Sequence, residues 1–94
     1  MVHAVLDLTD CKTWYDMHER FRVALHFPDY YGHNWDAFWD CIDRESDVEF
    51  IEIRGEHTMP ADFQESLQML HSLLEEEKQY CQEKGWTFDY VIVD

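Results

Sequence analysis

Apolar residues recur along this chain with two different periods, and the changes between them mark out six elements. Residues 2–8 form a short apolar run around Val5 and Leu6, which predicts a strand. From Trp14 onward, Met17, His18, Phe21, Val23, Ala24 and Leu25 fall at roughly helical spacing. Thr13 stands where an N-cap belongs, with Asp16 three residues later as a capping-box variant. Pro28, which has no backbone N–H to donate, is expected to stop this helix. Asn34 is placed to cap a second, short helix over 35–43, where Trp35, Phe38, Trp39 and Ile42 take the i, i+3, i+4 and i+7 positions of an amphipathic face. Residues 48–54, VEFIEIR, alternate as a strand does, and Gly55 closes the run. Pro60 suits the first turn of a third, long helix with the apolar set Phe63, Leu67, Leu70, Leu73 and Leu74. That helix runs to about residue 84, where Gly85 supplies a C-cap, and 86–93 reads as the last strand.

The order strand, helix, short helix, strand, helix, strand puts helical crossovers between strands, which implies parallel pairing with right-handed connections. The predicted fold class is α/β: a two-layer arrangement in which a small three-stranded parallel sheet packs against helices. A chain of 94 residues without repeats, linkers or low-complexity tracts supports one hydrophobic core, so 1–94 is read as a single domain.

Composition narrows the function. A hydrophobic content of 46% with 16% aromatics belongs to a folded globule, not to a disordered acidic tail. The formal charge is −14, from 21 acids against 7 bases. That balance repels phosphate backbones, which argues against direct nucleic-acid binding, and it suits a protein partner with a basic surface. Acidity alone also serves solubility. Cys11, Cys41 and Cys81 are odd in number and widely spaced, unlike a disulfide framework or a zinc site. Nothing after Met1 reads as a signal peptide, and no stretch approaches the ~20 apolar residues that span a bilayer. The expectation is a reduced, cytoplasmic, soluble protein with no membrane partner and no cofactor.

The informative segment is 28–41, PDYYGHNWDAFWDC. Asp36, Asp40 and Asp43 sit at i, i+4 and i+7, so a helix stacks their carboxylates along one stripe opposite its apolar side. Like charges at that spacing cost a helix roughly 0.2–0.5 kcal/mol per pair, a local penalty this sequence tolerates. Between Asp29 and Glu49 there are seven acids and one base, Arg44, a balance of −6 over 21 residues. Tyr30 and Tyr31 precede Gly32, which is expected to adopt positive φ and turn the chain into the Asn34 cap. Large aromatics beside charges are the composition of a protein–protein hot spot. The alternative is that the tyrosines pack on the domain and the aspartates only face water.

Tyr30-Tyr31-Gly32, Asn34, Asp36-Ala37 and Trp39-Asp40-Cys41, after Leu25-His26-Phe27-Pro28, resemble the barstar family in order and without a gap. The Ile51–Arg54 strand and the ending from Gly85 to Val93 fit as well, so the resemblance covers nearly the whole chain. It implies an intracellular inhibitor of barnase-type ribonucleases, most simply a secreted guanyl-specific one, whose second helix and preceding loop block the nuclease active site. Tyr30, Gly32, Asn34, Asp36, Trp39 and Asp40 match the family's contact positions. By that implication Asp36 and Asp40 stand in for RNA phosphates and Tyr30 packs on the catalytic histidine, while Gly32 and Asn34 offer backbone groups and shape the loop. The family's glutamate from the last helix falls on Glu76 when that helix is set by Leu73-Leu74, although a solvated face is an equal reading of Glu75–Glu77. With Tyr31 and Asp43 from the pattern, these residues make up the expected partner-binding set. Arg44 and Glu45 replace an aromatic that founding members carry after the second helix, the following loop is shorter and lacks a proline, and Trp35 replaces a smaller aliphatic residue. These departures bear on which nuclease is bound.

Three other readings compete. His33, Asp36 and Asp40 could converge on a metal, with His18, His57 or His71 adding a ligand, but HxxxH or HExxH spacing is missing. Cys41 could act as a nucleophile, yet the helix pattern puts it beside carboxylates that raise its pKa, so it reads as a small core residue and the chain as no enzyme. A barstar-like acidic binding module with a different toxin or a regulatory protein as client is the third.

Overall fold

The computed structural model describes residues 2–93. In chain order it contains strand β1 (His3–Asp7), helices α1 (Trp14–Ala24) and α2 (Trp35–Arg44), strand β2 (Phe50–Arg54), short 3-10 turns at Glu56–Thr58 and Ala61–Phe63, helix α3 (Gln64–Lys84) and strand β3 (Asp89–Ile92). The strands lie in the order β1-β2-β3 and both pairings are parallel, with Ala4 opposite Ile51 and Ile51 opposite Tyr90. Parallel neighbours cannot be joined by a tight turn, so α1 and α2 bridge the first pair and α3 the second. The fold is α/β, as the order of elements predicts.

Alternation decides which face of the sheet is covered. Ala4, Leu6, Ile51 and Ile53 point inward, while Val5 and Arg54 point out. Met17 and Phe21 of α1, Phe38, Cys41 and Ile42 of α2, and Leu67, Leu70 and Leu74 of α3 belong to the same core. Trp14 and Val23, apolar members of the α1 pattern, are more than half exposed. The face α1 turns inward is therefore narrower than its apolar set.

Several boundaries depart from expectation: β2 and β3 begin later than the sequence pattern implies, at Phe50 and Asp89. α1 ends at Ala24, ahead of Pro28, because His26 adopts a left-handed φ of 61°. Phe27 N–H then donates to Arg22 O at 3.0 Å, the backward bond of a Schellman close. Pro60 does not open α3; it precedes the short turn Ala61–Phe63, and α3 begins at Gln64. The buried stripe of α3 also continues past Leu74 through Glu77 and Cys81.

Two contacts fix the frame that carries the segment 28–44. Gly55 ends β2 at φ 82°, where a Cβ would collide with the Thr9 backbone, so only glycine fits. Arg20 of α1 donates to Asp7 O at 3.1 Å and to Thr9 O at 2.7 Å, tying α1 to the end of β1. α1 in turn backs the segment 28–34.

Candidate protein-docking site

Asn34 sets the start of α2: its Oδ1 accepts from Ala37 N–H at 2.8 Å, the side-chain cap that its position predicts. From that start the helix turns Phe38, Cys41 and Ile42 into the core and leaves Asp36 and Asp40 exposed. Trp35 and Trp39 are half-buried against the core. Trp35 lies edge-on to Phe38 at 5.5 Å and to His18 at 5.0 Å, which braces the helix start.

The third aspartate of the stripe behaves differently. Asp43 is only 23% exposed and hydrogen-bonds Glu77 of α3. The expected stripe is therefore divided, because α3 closes over the C-terminal end of α2: Asp36 and Asp40 face out, and Asp43 faces a neighbouring helix. Glu77, 2% exposed, escaped the expected set although it lies on the core stripe three residues after Leu74 and four before Cys81. Burial, and then the Asp43 charge, push its carboxyl up to about 7. Glu76 is exposed on the same turn, while Glu75 accepts from Tyr90 Oη at 2.8 Å.

The paired tyrosines also part. Tyr30 is 76% exposed, whereas Tyr31 is 3% exposed, with its hydroxyl 2.6 Å from His18 Nδ1. Tyr31 is thus a core residue that can anchor the loop, and its buried ring borders the same cleft as Tyr30. Burial, with His33 nearby, lowers His18 to about 4, so the ring is neutral at pH 7. Gly32 is exposed and does not adopt positive φ; left-handed backbone occurs instead at His26. A Cβ at position 32 would meet Asn34 Nδ2 at 3.4 Å and Ala37 Cβ at 3.9 Å, which is ordinary contact. Nothing among the described residues requires glycine there.

Tyr30, Gly32 and Asp40 share an open cleft of about 260 Å³ with Arg44 and Glu45. Glu45 is a cleft residue that the expected set omitted; its negative charge raises the Tyr30 hydroxyl. Its one sequence signal is its place as the next acid after α2. His33 does not join Asp36 and Asp40. Its Nε2 lies 2.7 Å from Glu19, and His71 pairs with Glu56 at 2.6 Å. Among the described residues no group of His, Cys, Asp and Glu is arranged to hold a metal. No helix among them is long and apolar enough to cross a membrane. Cys41 is buried, and burial followed by Glu45 and Asp40 raises its thiol, leaving it protonated.

The family model described as "Barstar (barnase inhibitor)" matches residues 1–93. The chain belongs to the barstar family. A Bacillus subtilis (strain 168) protein named "Putative ribonuclease inhibitor YrdF" is 42% identical over 38 residues, which is 40% of this chain. The match spans 42% of that relative's own length. In this barstar-family chain the exposed acids of α2, the exposed Tyr30 and the unconstrained Gly32 lie along one loop–helix unit, backed by α1 and closed at its far end by α3.

Proposed function

We propose that the chain inhibits a barnase-type ribonuclease by laying the loop 28–34 and the outer side of α2 over the enzyme's active site. The observation that carries this reading is the cleft in which exposed Tyr30, Gly32 and Asp40 meet, one turn from exposed Asp36. A ribonuclease active site holds Arg, Lys and His side chains that neutralise phosphates, and two outward carboxylates offer them the same charge. Tyr30 supplies a rigid aromatic for the catalytic histidine. Gly32, with no internal need for glycine, leaves room for a partner backbone to approach. Asn34 serves mainly as the cap that aims α2, and Trp39, half-buried against the core, supports the helix beside Asp40. Glu76, exposed on α3, extends the acidic rim. The chain works by occupancy and performs no chemistry; it acts as one domain in a reducing, cytoplasmic compartment, where its three buried thiols remain free.

RNA cleavage by a panel of barnase-type ribonucleases tests the reading. Stoichiometric inhibition, with an association rate that falls steeply as ionic strength rises, is expected from the clustered charge. Uninhibited cleavage across the panel refutes it. Arg44 and Glu45 on the cleft rim favour a second reading, a different client with a mixed-charge surface, which a pull-down of the natural partner distinguishes.

A further inference from the structure

The loop that presents Tyr30 is held from behind by a small network on α1. Glu19 and Arg22, one turn apart, form a two-bond ion pair: Arg22 Nε donates to Glu19 Oε2 at 2.9 Å and Nη2 donates to Oε1 at 3.2 Å. Each end of that pair catches one end of the loop. Arg22 Nη1 donates to Asp29 at 3.2 Å on the near side of Tyr30, and His33 Nε2 meets Glu19 at 2.7 Å on the far side.

The two catches are unequal. The Asp29 carboxylate is fully exposed, so water competes for it and the contact contributes little. His33 is 18% exposed and lies flat against Tyr15, with ring centroids 4.4 Å apart and planes 9° from parallel. The Tyr31 ring is 5.3 Å away on the loop side. Arg22 and then His33 hold the Glu19 carboxyl down at about 2, so it stays charged over the whole physiological range. Glu19 is thus satisfied by its own chain and faces the back of the loop.

We propose that Glu19 is a positioning residue: through His33 it holds the loop 28–34 in the shape that docks, and so sets affinity without touching the partner. The proposal rests on the reading of that loop as a docking surface. A loop ordered before the encounter loses less conformational freedom on binding, and that saving appears as affinity.

The test compares Glu19→Ala with Glu19→Gln. Both remove one negative charge, so long-range attraction of a basic partner changes equally. Only Gln retains an oxygen that can accept from His33 Nε2. Backbone amide order parameters for residues 29, 30, 32 and 33, which flank the Tyr31 anchor, are measured in the free protein, and affinity is measured with barnase. In Glu19→Ala the order parameters are expected to drop from the rigid range near ~0.85 to below ~0.6. Affinity is expected to fall about tenfold with the melting midpoint little changed, and Glu19→Gln is expected to recover most of both losses.

Unchanged order parameters in Glu19→Ala overturn the proposal. So does a loosened loop with undiminished affinity, or a Gln variant that recovers nothing. If Glu19→Ala does not fold, His33→Phe keeps the stack on Tyr15, removes the hydrogen bond and takes its place in the test. A wild-type protein that binds no barnase-type ribonuclease refutes the proposed function instead, and the order parameters then decide alone whether Glu19 holds the loop.

Discussion

Glu77→Gln is expected to stabilise the protein above neutral pH and to do little in acid. Glu77 is sealed between α2 and α3 with the Asp43 carboxylate and the Cys81 thiol as its neighbours. Asp47 and Glu49 line the adjoining groove of about 320 Å³, and no basic side chain does. Burial and the Asp43 charge raise its carboxyl from an ordinary 4.5 to about 7. The folded chain therefore holds this proton more tightly than the unfolded chain. The stability it brings is fully present below about 4.5, declines as pH rises, and is lost above about 7. At about 1.36 kcal/mol per pH unit, charging Glu77 in the folded state costs roughly 3–4 kcal/mol more than in the unfolded state. Glutamine has nearly the same shape, never charges, and can donate its amide N–H to Asp43. Urea melts of both proteins at a series of pH values read the difference directly, and pairing them at each pH cancels the titration of the surface histidine–carboxylate pairs. The variant should gain roughly 3–4 kcal/mol at pH 8 and lie within about 1 kcal/mol of wild type at pH 4.5. A difference that is flat across that range, or a wild type that is the more stable at pH 8, refutes the assignment.

Asp40→Ala should leave stability unchanged or slightly raised, since it relieves a like-charge pair with Asp36 worth roughly 0.2–0.5 kcal/mol. Its inhibition should collapse by ~2–5 kcal/mol or more in affinity, a range set by charge pairs in the barnase–barstar complex itself, a member of this family, rather than by this chain. A denaturant melt and a ribonuclease titration on one sample separate the two effects; a clearly lowered midpoint would assign the aspartate to the fold. The two tyrosines should respond oppositely. Tyr30→Ala keeps the melt within about 0.5 kcal/mol and weakens inhibition, as an exposed contact does. Tyr31→Phe strips the buried His18 Nδ1 of its partner and should lower stability by about 1–3 kcal/mol. Equal melts for the two variants would contradict the division seen in the loop.

Much of this was open to the sequence because period and capping are local. Asn34 and the Phe38 and Ile42 spacing carry α2, and the alternation around Ile51 and Ile53 carries β2. What stayed hidden depends on groups far apart in the chain or on residues whose type contradicts their place. Adjacent tyrosines in a loop have no period to say which one points inward, and the choice is made by His18, thirteen residues away. Position 77 has core spacing, but a glutamate there reads as surface, so the stripe on α3 appeared to end at Leu74. The stop at His26 has no propensity signal, since a non-glycine residue at positive φ is chosen by the backbone bonds around it. His33 looked like a companion of Asp36 by spacing, whereas Glu19, on another element, claims it.

The whole segment proposed to dock lies inside the connection between β1 and β2, and this sets when it can form. Ala4 pairs with Ile51, so the first strand has no hydrogen-bonding partner until a long stretch of chain has been made. A sheet built from such distant pairings has no hairpin to start from and closes slowly compared with one made of local contacts. The outward carboxylates, the loop and its support on α1 are all synthesised before β2, yet they gain a fixed frame only when β2 joins β1. On the proposed function, inhibitory capacity therefore arrives late, as a property of the completed sheet and not of the segment proposed to make the contacts.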